Sequence, residues 1–286
     1  MAAALGVRLS IWLGAVTCGF SFLCAVGLVL LLQRQEPGEA DDYEKTKIPT
    51  LTDIWTVPKQ FWLFIMAMAF IQGTLIGSQV NLPEYLESRY DYTITEAGFM
   101  TGVTCLFNIS APFLSLIIKH IGCHGVVLMT AIIWMTSVYA LLGFLPAIHP
   151  LILTVSFGIG TSTITVTMWQ VLILLSPASC VGTLGGILLL VRHLTVAFTL
   201  LASGYILEKP EVTDMMKVLQ SYQNFFLMLI IMASTSVLCV MVMNVLDVRE
   251  SSALNSRIGS WRKSDIESTK LIAITRSSMK YSSTNK

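Results

Sequence analysis

Seven long apolar runs constrain the fold of this chain more than any other feature of its sequence. Each reaches the length of about 20 residues that a helix needs to cross the hydrocarbon core of a bilayer. These runs occupy residues 11–33, 60–82, 96–118, 124–145, 149–175, 180–207 and 221–246. They are too long and too uniformly apolar for barrel strands, so helices are the remaining way to satisfy the backbone in lipid. The sequence therefore predicts an all-α membrane protein with seven transmembrane helices.

The composition excludes several other classes of protein. The 286 residues are 54% hydrophobic and only 12% charged, whereas soluble domains carry about 25% charged residues. A formal net charge of +1, with no basic block inside the apolar region, argues against a nucleic-acid-binding protein. The six cysteines form no Cys-x-x-Cys pair, and no metal cluster or nucleophile–histidine–acid set can be assigned. We therefore expect no metal, no cofactor and no enzymatic activity.

The first run is either a membrane helix or a signal peptide. It follows a single positive residue, Arg8, but it is long for a signal peptide and ends at Arg34 without a small-x-small cleavage site. A membrane helix is thus favoured. Basic residues near the span ends gather on the side of the C-terminus, at Arg34, Lys59, Lys119 and Arg249. By the positive-inside rule that side is cytosolic, and the N-terminus is luminal or extracellular.

Four segments follow from these runs. Residues 1–33 form a luminal N-terminus and the first transmembrane helix, and residues 34–59 form a charged cytosolic linker. Residues 60–248 carry six helices that are expected to form one bundle. Residues 249–286 are rich in Ser, Thr, Arg and Lys, which predicts a disordered cytosolic tail.

Several short stretches carry a resemblance to a known family. They are Gly14-Ala15-Val16-Thr17-Cys18, Leu51-Thr52-Asp53-Ile54 leading to Gln60-Phe61-Trp62-Leu63, Ile109-Ser110-Ala111-Pro112, and Gly182-Thr183 spaced to Gly186 and to Gly204-Tyr205-Ile206. In their order and spacing, over roughly residues 11–248, they resemble the C-terminal half of the major facilitator superfamily. More narrowly, the chain is similar to the superfamily's branch of lysosomal dipeptide transporters.

The resemblance implies a fold and a function. The first helix would be equivalent to span 6 of a twelve-span transporter, and the last six would form one major-facilitator-type six-helix bundle. The implied activity is transport of small peptides or related organic solutes by alternating access, as a uniporter, in the lysosomal membrane or alternatively the plasma membrane. The implied partners are a dipeptide-like substrate, membrane lipid, and a second copy of the chain or a single-pass glycosylated accessory subunit.

The chain departs from the family in two respects. Most of the N-terminal half is absent, so the chain is expected to be half of a transporter or a fragment of one. The superfamily's loop motif between the third and fourth spans is eroded, because only its second glycine survives among Ser115, Lys119, His120, Gly122 and Cys123. A non-transporting accessory subunit is therefore the alternative. A seven-span receptor is disfavoured because its Asp-Arg-Tyr and Asn-Pro-x-x-Tyr motifs are missing.

Arg192 is the sharpest candidate for a functional residue. It lies near the middle of an apolar run, where an arginine costs about 2.5–3.5 kcal/mol on insertion scales and usually faces the bundle interior or a wet cavity. Its planar guanidinium suits a substrate carboxylate. The alternatives are an interhelical hydrogen-bond anchor and a side chain that snorkels to the membrane surface. Helical spacing predicts a cavity-facing stripe that comprises Gly182, Gly185, Leu189, Arg192, Thr199 and Ser203.

Other polar or aromatic residues fall on the four spans that the resemblance identifies as pore-lining. These candidates are His193, Gln72, Gln79, Asn108, Trp169 and Gln170. His193 is either a proton relay or a packing histidine. An amide in lipid either lines a cavity or binds a neighbouring helix, and both alternatives stay open for each amide.

The tail contains a short pattern that is typical of a sorting signal. Glu267 is followed after three residues by Leu271 and Ile272, which fits the acidic dileucine pattern that adaptor proteins bind. Because such signals act in the cytosol, the predicted topology is compatible with this role. The pattern predicts adaptor binding and delivery to lysosomes.

Overall fold

The computed structural model describes residues 7–34, 57–145, 149–177, 180–207, 215–250 and 254–255. Within those ranges all regular secondary structure is helical. The helices are α1 (Val7–Arg34), α2 (Lys59–Tyr90), α3 (Ile94–Leu106), α4 (Ala111–Ile121), α5 (His124–Phe144), α6 (Pro150–Leu175), α7 (Val181–Leu207) and α8 (Met215–Glu250), with a 3-10 turn at Phe107–Ser110 between α3 and α4. The prediction of an all-α chain is thereby confirmed.

Six segments of the described chain are long and apolar enough to cross a membrane. They are Lys59–Tyr90, Ile94–Ile121, His124–Phe144, Pro150–Leu175, Val181–Leu207 and Met216–Arg249. The first predicted span does form a helix, α1, but its described apolar part, Gly14–Gly27, is shorter than these six. The count of seven spans therefore stays a prediction.

The chain divides into two compact units, Met1–Ile48 and Pro49–Lys286. The first unit contains α1, on which Trp12 and Phe20 are each 70% exposed. In the second unit α2 is the central helix and packs most extensively against α7 and α8. The helix α5 packs between α8 and α6, and α6 in turn contacts α3 and α4.

The core of the second unit contains large side chains from α2, α5, α6 and α8. Its largest fully buried members are Phe61, Phe64, Met68, Ile71, Tyr85, Leu86, Leu128, Ile132, Met135, Tyr139, Phe157 and Phe225. Tyr139 is held by hydroxyl contacts to Thr74 and Ser78 on α2, each at 3.4 Å. These polar contacts satisfy a phenol that would otherwise lie unpaired in an apolar core.

The third predicted span, residues 96–118, is broken near its middle. The α-helix ends at Leu106, a 3-10 turn covers Phe107–Ser110, and α4 begins at Ala111. Pro112 explains the break, because proline lacks an N–H and its ring clashes with the carbonyl four residues earlier, that of Asn108. That carbonyl instead accepts the N–H of Ala111, which is the three-residue spacing of a 3-10 turn.

The second predicted span, residues 60–82, is shorter than the helix that forms. The helix α2 continues through Pro83 to Tyr90 and ends at Asp91, whose φ of 53° is left-handed. The next helix starts at a capping box: the Thr93 N–H donates to Glu96 Oε2 at 2.9 Å, and the Glu96 N–H donates to Thr93 Oγ1 at 3.3 Å. The helix therefore extends eight residues beyond the apolar run that predicted it.

Candidate functional site

Arg192 lies on the side of α7 that faces the rest of its unit. The buried residues of α7 are Leu184, Gly185, Leu188, Val196, Thr199 and Ser203. All of them fall within about 80° of Arg192 when successive residues are placed about 100° apart round the helix. Arg192 itself is only partly buried. A snorkelling side chain on a lipid-facing surface is thus the least compatible of the three interpretations.

One nitrogen of the Arg192 side chain is left without a partner. Its Nε is buried, and no atom of the described chain accepts a hydrogen bond from it. Buried donors are nearly always paired in native proteins. This unpaired N–H is compatible with the interpretation that Arg192 binds an anionic group.

The residues of the stripe that was predicted to face a cavity differ in burial. Gly185, Thr199 and Ser203 are buried, whereas Gly182 is exposed. A Cβ added to Gly73 of α2 would lie 2.7 Å from Thr199 Oγ1, so the two backbones approach closely here. Thr199 and Ser203 thus serve the packing of α7 against α2, and the prediction that the whole stripe faces a cavity is wrong.

His193 lies next to Arg192 in sequence but at the edge of this face. Its side chain is exposed, and Nδ1–H donates to the backbone carbonyl of Leu189 at 2.7 Å. That bond leaves Nε2 as the ring nitrogen available to solvent or substrate. Both interpretations of His193 remain open on this geometry.

The two glutamines of α2 differ in burial. Gln72 is 3% exposed, and its Nε2 contacts Sδ of Met168 on α6 at 3.8 Å. Gln79 is half-buried, and its Nε2 donates to Cys105 Sγ at 3.2 Å and lies 3.5 Å from Thr104 Oγ1. Each amide therefore joins α2 to a neighbouring helix, as the helix-binding alternative expects.

The remaining candidates lie on α6 and on the 3-10 turn. The Nε2 of Gln170 donates to the Ser115 carbonyl at 3.1 Å and to Ser115 Oγ at 2.9 Å, while its Oε1 is buried without a partner in the described chain. Trp169 is 42% exposed, and Asn108 is exposed on the 3-10 turn. Within the described ranges, no hydrogen bond joins Arg192 to any of these residues.

A polar cluster at the end of α8 was not anticipated from the sequence. Asp247 is fully buried, and its carboxylate accepts the backbone N–H groups of Leu254 and Asn255 at 3.1 and 3.2 Å. Asn255 Nδ2 also donates to Asn244 Oδ1 at 3.1 Å, and the Asn244 amide donates to the Gly125 carbonyl at 2.9 Å. The sequence feature that could have predicted this cluster is an aspartate directly after a span, with an asparagine eight residues later.

The sorting residues Glu267, Leu271 and Ile272 lie outside the described residues. Across the helices that the structure does describe, no group of three His, Cys, Asp or Glu residues is arranged to hold a metal ion. The candidate site therefore consists of Arg192, its neighbour His193, and amides that also connect the helices.

These helices and this partly buried arginine define a polytopic membrane protein with a charged group among its spans. A family model described as Major Facilitator Superfamily matches residues 1–200. The chain therefore belongs to the major facilitator superfamily, as its sequence motifs predict.

The chain is also similar to curated proteins from one branch of this superfamily. The chain is 23% identical over 203 residues to the lysosomal dipeptide transporter MFSD1 of Gallus gallus, which covers 70% of this chain and 46% of that protein. It is 26% identical over 207 residues to the MFSD1 of Danio rerio, with 71% and 44% covered. The chain thus spans less than half the length of the curated relatives that it matches.

Proposed function

We propose that this chain is part of a transporter that carries small peptides or related organic solutes across the lysosomal membrane. The observation that supports the proposal most is the unpaired, bundle-facing guanidinium of Arg192 in the middle of a membrane-spanning helix. The similarity to lysosomal dipeptide transporters suggests the substrate class and the compartment. A peptide offers one free carboxylate, which is the group that a guanidinium binds best.

Alternating access would move this unit against a second one around the Arg192 level of the membrane. The second bundle would come from upstream sequence, from another copy of this chain or from a different subunit. Arg192 would hold the substrate carboxylate, with His193, Gln79 and Trp169 as further contacts. Gln72 and Gln170 would chiefly keep α2, α4 and α6 in register, since both already bond or contact neighbouring helices.

A dipeptide flux assay on reconstituted vesicles tests this proposal. The chain is reconstituted together with the N-terminal half of the Gallus gallus relative, and uptake of a radiolabelled dipeptide is measured. A hydrogen bond to a charged group contributes about 1.5–3 kcal/mol, so Arg192→Gln is expected to lower uptake at least about tenfold. Arg249→Gln removes an exposed arginine at the end of α8 and serves as the matched control.

The same assay separates transport from the accessory alternative. Uptake by the chain reconstituted alone would contradict a non-transporting accessory role. Absence of uptake with a folded N-terminal half present, or unchanged uptake in Arg192→Gln, would contradict the transport proposal. The eroded loop motif between α4 and α5 is the observation that keeps the accessory role as the second candidate.

A further inference from the structure

A small cavity lies between the C-terminal end of α2 and the first turns of α8. Its volume is about 130 Å³, and its lining consists of Ser88 and Arg89 of α2 with Val218, Leu219 and Tyr222 of α8. Pockets for drug-sized ligands measure about 300–1,000 Å³, so this cavity suits a much smaller molecule. None of its lining residues belongs to the Arg192 site.

Arg89 presents an unused donor in this cavity. Its Nη1 is buried, and no described residue accepts a hydrogen bond from it. The guanidinium carbon lies 5.7 Å from the centroid of the Tyr85 ring, a distance typical of a cation–π contact. Such a contact uses the face of the guanidinium and leaves its in-plane N–H groups available for an anion. Arg89 also makes a side-chain hydrogen bond to Tyr85, so this residue orients the guanidinium while Nη1 remains unpaired in the described chain.

The other groups at this cavity favour a carboxylate over a larger anion. The Ser88 side chain is hydrogen-bonded to Tyr222, and Val218 and Leu219 provide an apolar wall. Glu84 and Glu87 lie close to Tyr222, so the surroundings repel a multiply charged anion such as a nucleotide. A positive ammonium group in the same ligand would instead be favoured by those acids. The chemistry therefore suits a small zwitterion.

The Arg89 cavity is separate from the Arg192 site. Gly73 and Gly77 of α2 pack against Thr199 of α7, and Asn81 contacts Ser203, so the two helices run in the same direction. Arg192 thus lies near the level of Gln72 on α2. With a rise of 1.5 Å per residue, Arg89 is about 25 Å further along the helix. One bound molecule of this size cannot contact both arginines.

We propose that the cavity at Arg89 binds the free carboxylate of a small amino acid or short peptide. Arg89 would donate to the carboxylate, and Tyr222 with Leu219 would exclude water from the contact. The choice of a peptide as probe rests on the proposed function, whereas carboxylate binding at Arg89 does not.

Arginine labelling read residue by residue tests this site. The purified chain in lipid nanodiscs is treated with phenylglyoxal, and modification of Arg89, Arg192 and Arg249 is measured by peptide mass spectrometry. Glycylglycine at ten times its dissociation constant is expected to slow labelling of Arg89 about tenfold. Its C-terminal amide, glycylglycinamide, should not protect Arg89, and labelling of the exposed Arg249 should not change. Equal protection by the amide, or no protection by glycylglycine, would overturn the proposal.

A cavity-filling variant checks that protection arises in this cavity. Leu219→Trp occupies the space beside Arg89, so Arg89 should remain reactive but lose its protection by glycylglycine. Met216→Trp is the matched control, because Met216 is 77% exposed and does not line the cavity. Full protection in Leu219→Trp would contradict the site. Protection at Arg192 is read in the same digest, so a failure at either arginine is distinguished from a failure at the other.

Discussion

At the scale of single residues, the two proposed binding sites each depend on one arginine. Arg192 and Arg89 each have a buried nitrogen without a partner in the described chain. A membrane protein retains such groups where they face a ligand or a wet cavity, because an unsatisfied donor among helices is unfavourable. The amides Gln72, Gln79 and Gln170 each contact another helix, although Oε1 of Gln170 is likewise buried without a partner in the described chain.

A positive charge without the planar guanidinium group should be insufficient for substrate binding at position 192. Arg192→Lys keeps a cation near the same depth but offers a point charge in place of a bidentate donor. We expect the Michaelis constant for a dipeptide to rise about tenfold while folding is retained, since one hydrogen bond to a charged group contributes about 1.5–3 kcal/mol. Uptake kinetics in vesicles measure the change, and a Michaelis constant equal to wild type would argue against bidentate binding.

At the scale of helices, the seam between α2 and α7 depends on glycine. A Cβ at Gly77 would meet Thr199 Cγ2 at 3.0 Å, whereas a Cβ at Gly204 would have no atom within 4 Å. We therefore expect Gly77→Ala to destabilise the protein by about 1–3 kcal/mol, as overpacking typically does. Gly204→Ala is the matched control and should be close to neutral. Thermal unfolding in detergent followed by fluorescence measures both.

A second-site change tests the cause of that effect. Thr199→Ser removes the methyl group that the new Cβ would meet, so it should restore much of the stability lost in Gly77→Ala. It should restore less in Gly73→Ala, where the nearest atom is the Thr199 hydroxyl oxygen at 2.7 Å. Equal rescue of both variants would show that the methyl contact is not the cause.

The contact between the end of α8 and the start of α5 depends on one carboxylate. Asp247 accepts the N–H groups of Leu254 and Asn255, and the Leu254 carbonyl accepts the His124 N–H at 3.0 Å. In Asp247→Ala we expect these two amides to exchange with solvent at least about tenfold faster, since each lost bond leaves a donor worth about 1–3 kcal/mol unsatisfied. Hydrogen exchange measures this, with Asn224→Ala on an exposed part of α8 as the control. Unchanged exchange would exclude Asp247 as the anchor.

The positions of the helices followed from the sequence better than their contacts did. Apolar length located six spans, because lipid requires helices wherever such runs occur. The break at Phe107–Ser110 could have been anticipated from Pro112, but the continuation of α2 through Pro83 could not, because neighbouring helices decide whether a proline ends a helix. Likewise, Gln170 was identified as a polar residue in the membrane, but its partner Ser115 depends on how α6 packs against α4.

At the scale of the whole molecule, the proposed transport would need two sets of spans, of which the chain would supply one. The chain belongs to the major facilitator superfamily, and it matches less than half the length of its curated relatives. Both facts support the proposal that a second set of spans takes part. The tail, which is predicted to be cytosolic, would then carry a lysosomal sorting signal at Glu267, Leu271 and Ile272. Adaptor proteins would bind these residues whichever bundle completes the transport path.

Replacement of the two aliphatic residues of the tail tests the proposed sorting signal. With Leu271→Ala and Ile272→Ala combined, we expect the protein to move from lysosomes to the cell surface, because the apolar contacts of the adaptor are lost. Surface biotinylation measures the shift, and Ile274→Ala in the same tail is the matched control. Unchanged lysosomal staining of the double variant would remove the sorting signal from the account.

The proposed transport role depends on Arg192 lying in a hydrated space among the helices. The most direct measurement is labelling of Arg192→Cys in nanodiscs with a membrane-impermeant thiosulfonate, read at that residue by mass spectrometry. Leu190→Cys, on the opposite and exposed face of α7, is the comparison. We predict that the aqueous reagent labels position 192 and spares position 190. Labelling of position 192 only by a lipid-soluble maleimide would contradict the account.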